Sequence, residues 1–268
     1  MDMTKFMKKE GENPLDNVPV ANGGYTSIFR TIGCVGDSLA SGEFEAVNEK
    51  GDTVYYDAYD FSWGQVIART AGVKVYNFSR GGMSAKEYTE SFAEANGFWD
   101  EDKKCTAYII ALGVNDLINF GQEVGTTADI DLADPEKNKP TFAGYYAKIV
   151  QRYLKIEPRA RFFFMTMPRS DDETPERAAL CEAHSGLLYE LTKVFPHSYV
   201  LDIRKYAPVY DAAFREAFYM GGHLNPLGYE LTGQMVCAYI DYLVRNNPND
   251  FRKMGFVGTS LDNDRYKD

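Results

Sequence analysis

The sequence predicts an α/β fold with a mostly parallel, five-stranded sheet that is covered by helices on both faces. From residue 29 onward, short apolar segments alternate with longer helical patterns, an order typical of β-α-β units. Two of these segments, residues 108–112 (YIIAL) and 162–165 (FFFM), are almost continuously apolar, as strands buried on both faces are. Ligands of such sheets bind beyond the carboxyl ends of the strands.

The expected strands lie, in chain order, near residues 29–36, 73–78, 105–112, 160–167 and 198–203. Helices are expected between them. Two helices have clear starts because a capping residue precedes a proline: Thr174 before Pro175, and Asn225 before Pro226. Residues 120–140 form a longer connection without periodicity, which predicts an insertion near a functional site.

Composition bounds the number of domains and the class of partner. A chain of 268 residues with 44% apolar and 25% charged residues fits one soluble domain, expected over residues 29–246, with polar arms at 1–28 and 247–268. The net charge of −10 repels phosphate backbones and anionic lipid headgroups, which disfavours nucleic-acid binding and membrane adsorption. A small molecule is the expected partner, and the oligomeric state is left open.

The apolar runs and the cysteines bear on the cellular compartment in which the protein is expected. No run approaches the roughly 20 residues that span a bilayer, and the first thirty residues are too polar for the core of a signal peptide. We therefore expect no membrane insertion and a cytoplasmic location. The cysteines have no C-x-x-C spacing and are expected to be buried apolar side chains rather than zinc ligands or disulfides: Cys34, Cys105, Cys181 and Cys237.

Three consecutive strands end in small polar residues. The first is followed by residues 36–39 (GDSL), the second ends in residues 77–82 (NFSRGG), and the third is followed by residues 113–116 (GVND). Each segment alone is typical of a turn. Three of them at one edge of a parallel sheet indicate a ligand site that contains a serine hydroxyl.

A serine hydroxyl needs a base to become a nucleophile, and histidine is the usual base near neutral pH. His184 falls within a helix predicted over residues 175–195, where a place on the helix surface or at the core edge is expected. His197 precedes the fifth strand and so lies at the wrong end of the sheet. His223 lies in a glycine-flanked loop before the last helix, from which it can face the site, and is the candidate base.

These segments together resemble the four blocks of the SGNH hydrolase superfamily, also called GDSL esterases and lipases. The resemblance covers about residues 29–246. It implies a three-layer α/β/α flavodoxin-like fold and serine esterase chemistry on a small-molecule ester, without a metal or other cofactor. It also implies Ser38 as nucleophile, His223 as base, and an oxyanion hole made by the backbone amides of Ser38 and Gly82 and the side chain of Asn115.

Elementary chemistry agrees with these roles. Fixed donors stabilise the negative oxygen of a tetrahedral intermediate more than the ground state. Glycine at position 82 allows the backbone to approach the reacting oxygen, and Asn115 offers a neutral donor. The G-x-S-x-G pattern of α/β-hydrolases is not met, because residue 40 is alanine.

The sequence departs from the SGNH pattern at one position. The family usually has an aspartate three residues before the histidine, and here that residue is Met220. The replacement is a backbone carbonyl, a carboxylate such as Glu216 or Asp211, or nothing. We predict a carbonyl near residues 220–222 and a Ser38–His223 dyad of modest turnover.

Substrate signals are weaker. Aromatic side chains occur in segment 54–65 (VYYDAYDFSWGQ) and at Phe98-Trp99. Those that face the site would stack on a sugar ring or contact an acyl chain, although most are expected in the core. Arg80 either binds an anionic substrate group or pairs with an aspartate. Small acyl esters, with O-acetylated carbohydrates as one candidate, are the leading substrates; the alternatives are a lysophospholipase-like lipid esterase, a metallophosphoesterase and a catalytically weak binding protein on the same fold.

Overall fold

The computed structural model describes residues 7–262. Its centre is a parallel sheet of five strands: β1 (Thr31–Gly36), β4 (Lys74–Ser79), β5 (Ala107–Ala111), β6 (Arg161–Met165) and β7 (Ser198–Leu201). Their order across the sheet is β4-β1-β5-β6-β7. Each strand lies in or within one residue of its predicted segment, which confirms the predicted sheet.

Helices cover both faces of the sheet. In chain order they are α1 (Ser38–Ser41), α2 (Trp63–Ala71), α3 (Ala85–Glu87), α4 (Ala93–Ala95), α5 (Phe142–Ile156), α6 (Pro175–Val194), α7 (Ile203–Tyr206), α8 (Ala212–Phe218), α9 (Pro226–Asn246) and α10 (Pro248–Phe251). Alternate strand residues face opposite layers: Tyr108 and Ile110 pack with α5 and α6, whereas Ala107 and Ile109 pack with α2 and α9. The three-layer α/β/α fold is therefore confirmed.

The two long helices begin where their capping residues predict. The Thr174 hydroxyl accepts a hydrogen bond from the backbone amide of Arg177, at 3.2 Å, at the start of α6. The Asn225 side chain accepts one from the Gly228 amide, at 2.9 Å, at the start of α9. Each cap satisfies a backbone donor that the first helical turn leaves free.

Two antiparallel hairpins lie outside the central sheet. Strand β2 (Glu43–Val47) pairs with β3 (Thr53–Asp57), and β8 (Tyr219–Met220) pairs with β9 (His223–Leu224). The Tyr229 hydroxyl of α9 donates to the backbone carbonyl of Glu43, at 2.6 Å, and so ties β2 to the helical layer. These four strands are not predicted from the sequence, because their residues do not form the apolar runs that mark the central strands.

The described parts of both terminal segments pack on the central body. Arg245 of α9 pairs with Glu12, at 2.6 Å, and with Asp241, at 2.7 Å. Phe251 of α10 is buried in the core beside α9. These segments are therefore not purely polar arms, and the domain boundaries at residues 28 and 247 stay a prediction.

The connection over residues 120–140 packs against α5. It forms two short 3₁₀ turns, Thr127–Asp129 and Pro135–Lys137, joined by irregular chain. The Asn138 side chain fixes it to α5 by donating to the Gly144 carbonyl and to Gln151. Within residues 7–262, the walls of the cleft described below include no residue of this connection but do include Asn119, which directly precedes it, so a place near the site stays a prediction.

All four cysteines are buried free thiols, as expected. Burial raises the pKa of the Cys105 thiol to about 12, and that of Cys237 to about 12. Such thiols stay protonated and act as small apolar groups. Between residues 7 and 262, no helix has the length and apolar character to cross a bilayer.

Candidate active site

A cleft of about 700 Å³ opens at the carboxyl ends of β1, β4 and β5. Ser38, Gly82 and Asn115 line it from three different strand ends, and His223 lines it from the β8–β9 hairpin. The four residues singled out in the sequence therefore lie around one cleft, at the edge of the sheet where parallel α/β folds bind ligands.

Ser38 is the first residue of α1, directly after β1. Gly36 permits the tight turn between strand and helix, because a Cβ at this position would lie 2.5 Å from the Ala40 Cβ. Asp37 caps the helix: its Oδ1 accepts a hydrogen bond from the Leu39 amide at 3.2 Å. The turn leaves Ser38 half-buried at the cleft wall.

The carboxyl group of Asp37 is buried directly beside the serine. Its pKa is raised to about 7, mainly by burial and also by the nearby carboxylates of Asp116 and Glu43, against the stabilising effect of the Leu39 amide. Asp37 is therefore mostly uncharged below neutral pH, so it holds α1 without a full negative charge next to Ser38.

Gly82 has a backbone conformation that favours glycine. Its φ is +71°, in the left-handed region, whereas a Cβ added there would contact nothing within 4 Å. From the sequence, glycine is expected here because it lets the backbone approach the reacting oxygen closely. In the structure, the conformation of the turn is what requires it.

Asn115 is held in place by hydrogen bonds from both ends of its amide. Its Nδ2 donates to the Met83 carbonyl at 3.0 Å, and its Oδ1 accepts from Nδ2 of Asn119 at 2.8 Å. A primary amide has two N–H groups. One is engaged by Met83, and within residues 7–262 the other has no protein acceptor.

The loops that carry Gly82 and Asn115 are joined to each other. Oδ1 of Asp116, a fully buried residue, accepts a hydrogen bond from the Ala85 amide at 2.8 Å. Burial raises the pKa of Asp116 to about 6. Together with the bond from Asn115 to Met83, this contact fixes the spacing of the two predicted oxyanion donors.

His184 contacts the start of the loop that carries Asn115. It lies on α6 as predicted, but it is fully buried rather than at the helix surface or core edge. Nε2 lies 3.0 Å from the Leu112 carbonyl, which can only accept, so Nε2 carries a proton. Burial lowers the pKa of His184 to about 4, and the neutral ring fills the space beside Gly113, where a Cβ would lie 2.7 Å from Nε2.

His223 lies between two carboxylates of β2. Its Nε2 is 3.2 Å from Oε1 of Glu43, and its Nδ1 is 3.5 Å from Oε2 of Glu45. Among residues 7–262, Nδ1 is buried and has no hydrogen-bond partner. The prediction that a carbonyl near residues 220–222 accepts from the ring is therefore wrong in this structure, and the nearest carboxylates come from a different element.

Glycines let Glu45 reach the histidine loop. A Cβ at Gly221 would lie 2.6 Å from the Glu45 carboxyl carbon, and a Cβ at Gly222 would lie 2.8 Å from its Oε2. The Gly222 amide donates to Oε2 of Glu45 at 2.7 Å. Since any side chain at either position would displace the carboxylate, this pair of glycines is matched to Glu45.

Burial also affects Glu43. It raises the pKa of the Glu43 carboxyl above its usual range; Asp57 and Glu45 act in the same direction, and His223 opposes them. Oε2 of Glu43 also lies against Gly81, where a Cβ would be 2.0 Å away. Glu43 therefore fills the space between the histidine and the Gly82 loop.

Other residues considered in the sequence lie outside the cleft. Arg80 pairs with Glu87, at 2.8 Å, rather than with Asp37 or Asp116. Asp211 caps α8 by accepting from the Phe214 amide, at 2.8 Å, and Glu216 is exposed on the same helix. His197 contacts Asp250 at the amino end of β7.

The prediction that most of the aromatic residues singled out in the sequence lie in the core is wrong for segment 54–65, because Tyr55, Tyr56 and Phe61 are exposed. Trp63 is buried, and Phe98 and Trp99 pack against the core. Tyr55 is 56% exposed, lines the cleft, and meets the His223 ring edge-on with centroids 5.7 Å apart. Tyr56 is also exposed but is not among the cleft residues.

Sequence reasoning missed Glu43 and Glu45. A signal was present: the two glutamates alternate with Phe44 and Ala46, which is the period of a strand with one polar face. Their nearness to His223 depends on how the two hairpins meet, and no local pattern encodes that contact.

The structure is similar to solved structures of low sequence identity. A family two carbohydrate esterase from Clostridium thermocellum, in complex with cellohexaose, aligns with a TM-score of 0.53 at 14% identity, over 82% of this chain and 65% of that chain. A family 3 carbohydrate esterase from Clostridium thermocellum gives 0.52 at 14% identity, over 81% and 98%. A carbohydrate acetylesterase from Sinorhizobium meliloti gives 0.51 at 16% identity, over 80% and 99%. These likenesses show a shared fold.

Sequence comparison identifies the family. No curated protein matches the sequence. The profile of the GDSL-like lipase/acylhydrolase family matches residues 34–231, a span that includes all four predicted site residues and well over half of the 268 residues. The chain therefore belongs to the GDSL-like lipase/acylhydrolase family, a family of hydrolases.

Proposed function

We propose that the protein is a serine ester hydrolase that acts on small acyl esters through an acyl-enzyme on Ser38. The observation that carries this proposal is the arrangement of one cleft: a serine at a helix start, two fixed donors at Gly82 and Asn115, and a histidine on the facing hairpin. These are the groups that acyl transfer requires.

In the proposed reaction, the Ser38 hydroxyl attacks the ester carbonyl and His223 takes its proton. The negative oxygen receives hydrogen bonds from the amides of Ser38 and Gly82 and from the free N–H of Asn115. The carbon–oxygen bond of the ester then breaks, and the leaving alcohol takes the proton from His223. Water attacks the acyl-enzyme by the same route, with His223 as base, and releases the carboxylic acid.

Acetyl groups on carbohydrates are the substrates we favour. Tyr55 presents an exposed aromatic ring at the cleft beside His223, and a flat ring of this kind suits the apolar face of a sugar. Carbohydrate esterases are also among the proteins that share the fold.

Activity-based labelling tests this function. A fluorophosphonate reacts only with an activated serine, so mass spectrometry of the labelled protein should find the adduct on Ser38. The Ser38→Ala variant should stay unlabelled. An adduct on another serine would overturn the assignment, and a folded wild-type protein that does not react would favour a binding protein on the same fold.

A substrate screen then tests the acyl group. p-Nitrophenyl esters from acetate to palmitate should show a maximum of kcat/KM at the shortest chains, and acetylated sugars should be hydrolysed. A maximum at long chains would favour the lipid esterase instead.

A further inference from the structure

The usual acid of the catalytic histidine is absent from its place in the chain. A histidine base gains a positive charge in the transition state, and its other nitrogen must be held by an acceptor. Position 220 holds methionine, which is 40% exposed and cannot fill that role. The ring of His223 nevertheless has a carboxylate on each side.

Glu45 faces the nitrogen that needs the acceptor. In serine hydrolases, Nε2 of the histidine faces the nucleophile and Nδ1 faces the acid. Nδ1 of His223 is buried without a hydrogen-bond partner among residues 7–262, and Oε2 of Glu45 lies 3.5 Å from it. The Gly222 amide donates to this oxygen at 2.7 Å and so holds it next to the ring. A small movement of the Glu45 carboxylate toward the ring then makes the bond to Nδ1.

We infer that Glu45 is the positioning residue of the catalytic histidine, in place of the acid that Met220 lacks. This inference rests on the proposed function of Ser38 and His223. The carboxylate comes from β2, seven residues after the nucleophile, rather than from the loop that holds the histidine. The protein thus has a triad of Ser38, His223 and Glu45 instead of a dyad.

Glu43 has a different place in the site. It contacts Nε2, the nitrogen that must accept the proton of Ser38, and no hydrogen bond between Ser38 and His223 occurs within residues 7–262. The Glu43 carboxylate therefore has to leave Nε2 when the serine attacks. Its charge is further influenced by Glu45, by Asp57 on β3 and by Asp37 beside Ser38.

The test compares isosteric variants at the two positions of β2. Glu45→Gln keeps an oxygen for the Gly222 amide but removes the charge, so kcat should fall at least about tenfold with little change in KM. Glu43→Gln should lower kcat less than Glu45→Gln does. Glu216→Gln on the exposed surface of α8 is the matched control and should leave kcat within about twofold.

Titration of the His223 ring separates positioning from a merely structural effect. Without the Glu45 charge, the imidazolium is less stabilised, so the NMR titration midpoint of the ring and the acidic limb of the kcat profile should both move to lower pH. Glu45→Asp keeps the charge and should keep the wild-type midpoint more closely than Glu45→Gln.

Two results would overturn the inference: an unchanged midpoint in Glu45→Gln, or a larger loss of kcat in Glu43→Gln than in Glu45→Gln. Failure of the proposed function is seen separately, because the fluorophosphonate then leaves wild-type Ser38 unlabelled while the ring titration still reports on the Glu45 contact. A shifted midpoint without labelling would retain the contact and remove its catalytic role.

Discussion

The two walls of the cleft are built by different means. On the sheet side, Gly82 and Asn115 follow directly from strand ends, and Asn115 is held by hydrogen bonds to the Met83 carbonyl and to the neutral side chain of Asn119. On the hairpin side, His223 is held between the carboxylates of Glu43 and Glu45, which come from a separate two-stranded ribbon.

This difference separates two tasks. Neutral donors on the sheet side do not change charge with pH, which suits a site that stabilises a developing negative oxygen. The hairpin side carries ionisable groups, and a base must be uncharged to accept a proton. Changes on the sheet side should therefore alter the size of kcat, and changes on the hairpin side should also alter its pH dependence.

The largest expected effect is on the sheet side. Asn115→Ala removes one oxyanion donor, so kcat should fall roughly 100- to 1000-fold with KM nearly unchanged, because the lost bond acts mainly in the transition state. Steady-state kinetics on p-nitrophenyl acetate measures this. Asn119→Ala removes only the partner of Oδ1 and should cost less. A loss confined to KM would mean that Asn115 binds the ground-state substrate.

A second prediction concerns Asp37, an ionisable group that is buried beneath the sheet-side wall. The pKa of Asp37 is about 7 in the folded protein against an ordinary value of 3.8, so between these values the folded state binds the extra proton. Stability due to this group is present below pH 4 and is lost as pH rises toward 7. Asp37→Asn removes the dependence, so the variant should gain about 2 kcal/mol relative to wild type between pH 5 and 7.

Denaturant unfolding across this pH range measures the Asp37 effect. Asp116→Asn is the matched variant, and because the pKa of Asp116 is about 6, its relative gain should level off nearer pH 6. Parallel stability curves for wild type and Asp37→Asn would contradict the prediction.

The smallest expected effect is at the mouth of the cleft. Tyr55→Ala should raise KM for an acetylated sugar by roughly threefold to tenfold, which is the effect expected when one aromatic contact is lost. Hydrolysis of p-nitrophenyl acetate should change little, because this substrate has no sugar. Tyr56→Ala is the control, since Tyr56 is also exposed on β3 but does not line the cleft. Equal effects of both variants would rule out a sugar contact at Tyr55.

The same two walls differ in how far the sequence predicts them. Parallel strands bring their carboxyl ends to one edge, so apolar runs followed by GDSL, NFSRGG and GVND were enough to place Ser38, Gly82 and Asn115 around one cleft. The loop before α9 likewise placed His223. Glu45 was not predicted, because its position depends on a contact between two hairpins, in which Glu45 meets Gly222 across 177 residues of sequence.

The hydrogen bond from the Gly222 amide to Glu45 allows the contact between β2 and the histidine loop to be measured at a single amide. Exchange of this amide hydrogen with solvent requires its hydrogen bond to Glu45 to open, so its protection factor reports the free energy of that local opening. Slow exchange in the free protein would indicate that the contact between Glu45 and the histidine loop is formed before an ester binds. Rapid exchange that slows on acylation of Ser38 would indicate that the contact forms only during the reaction.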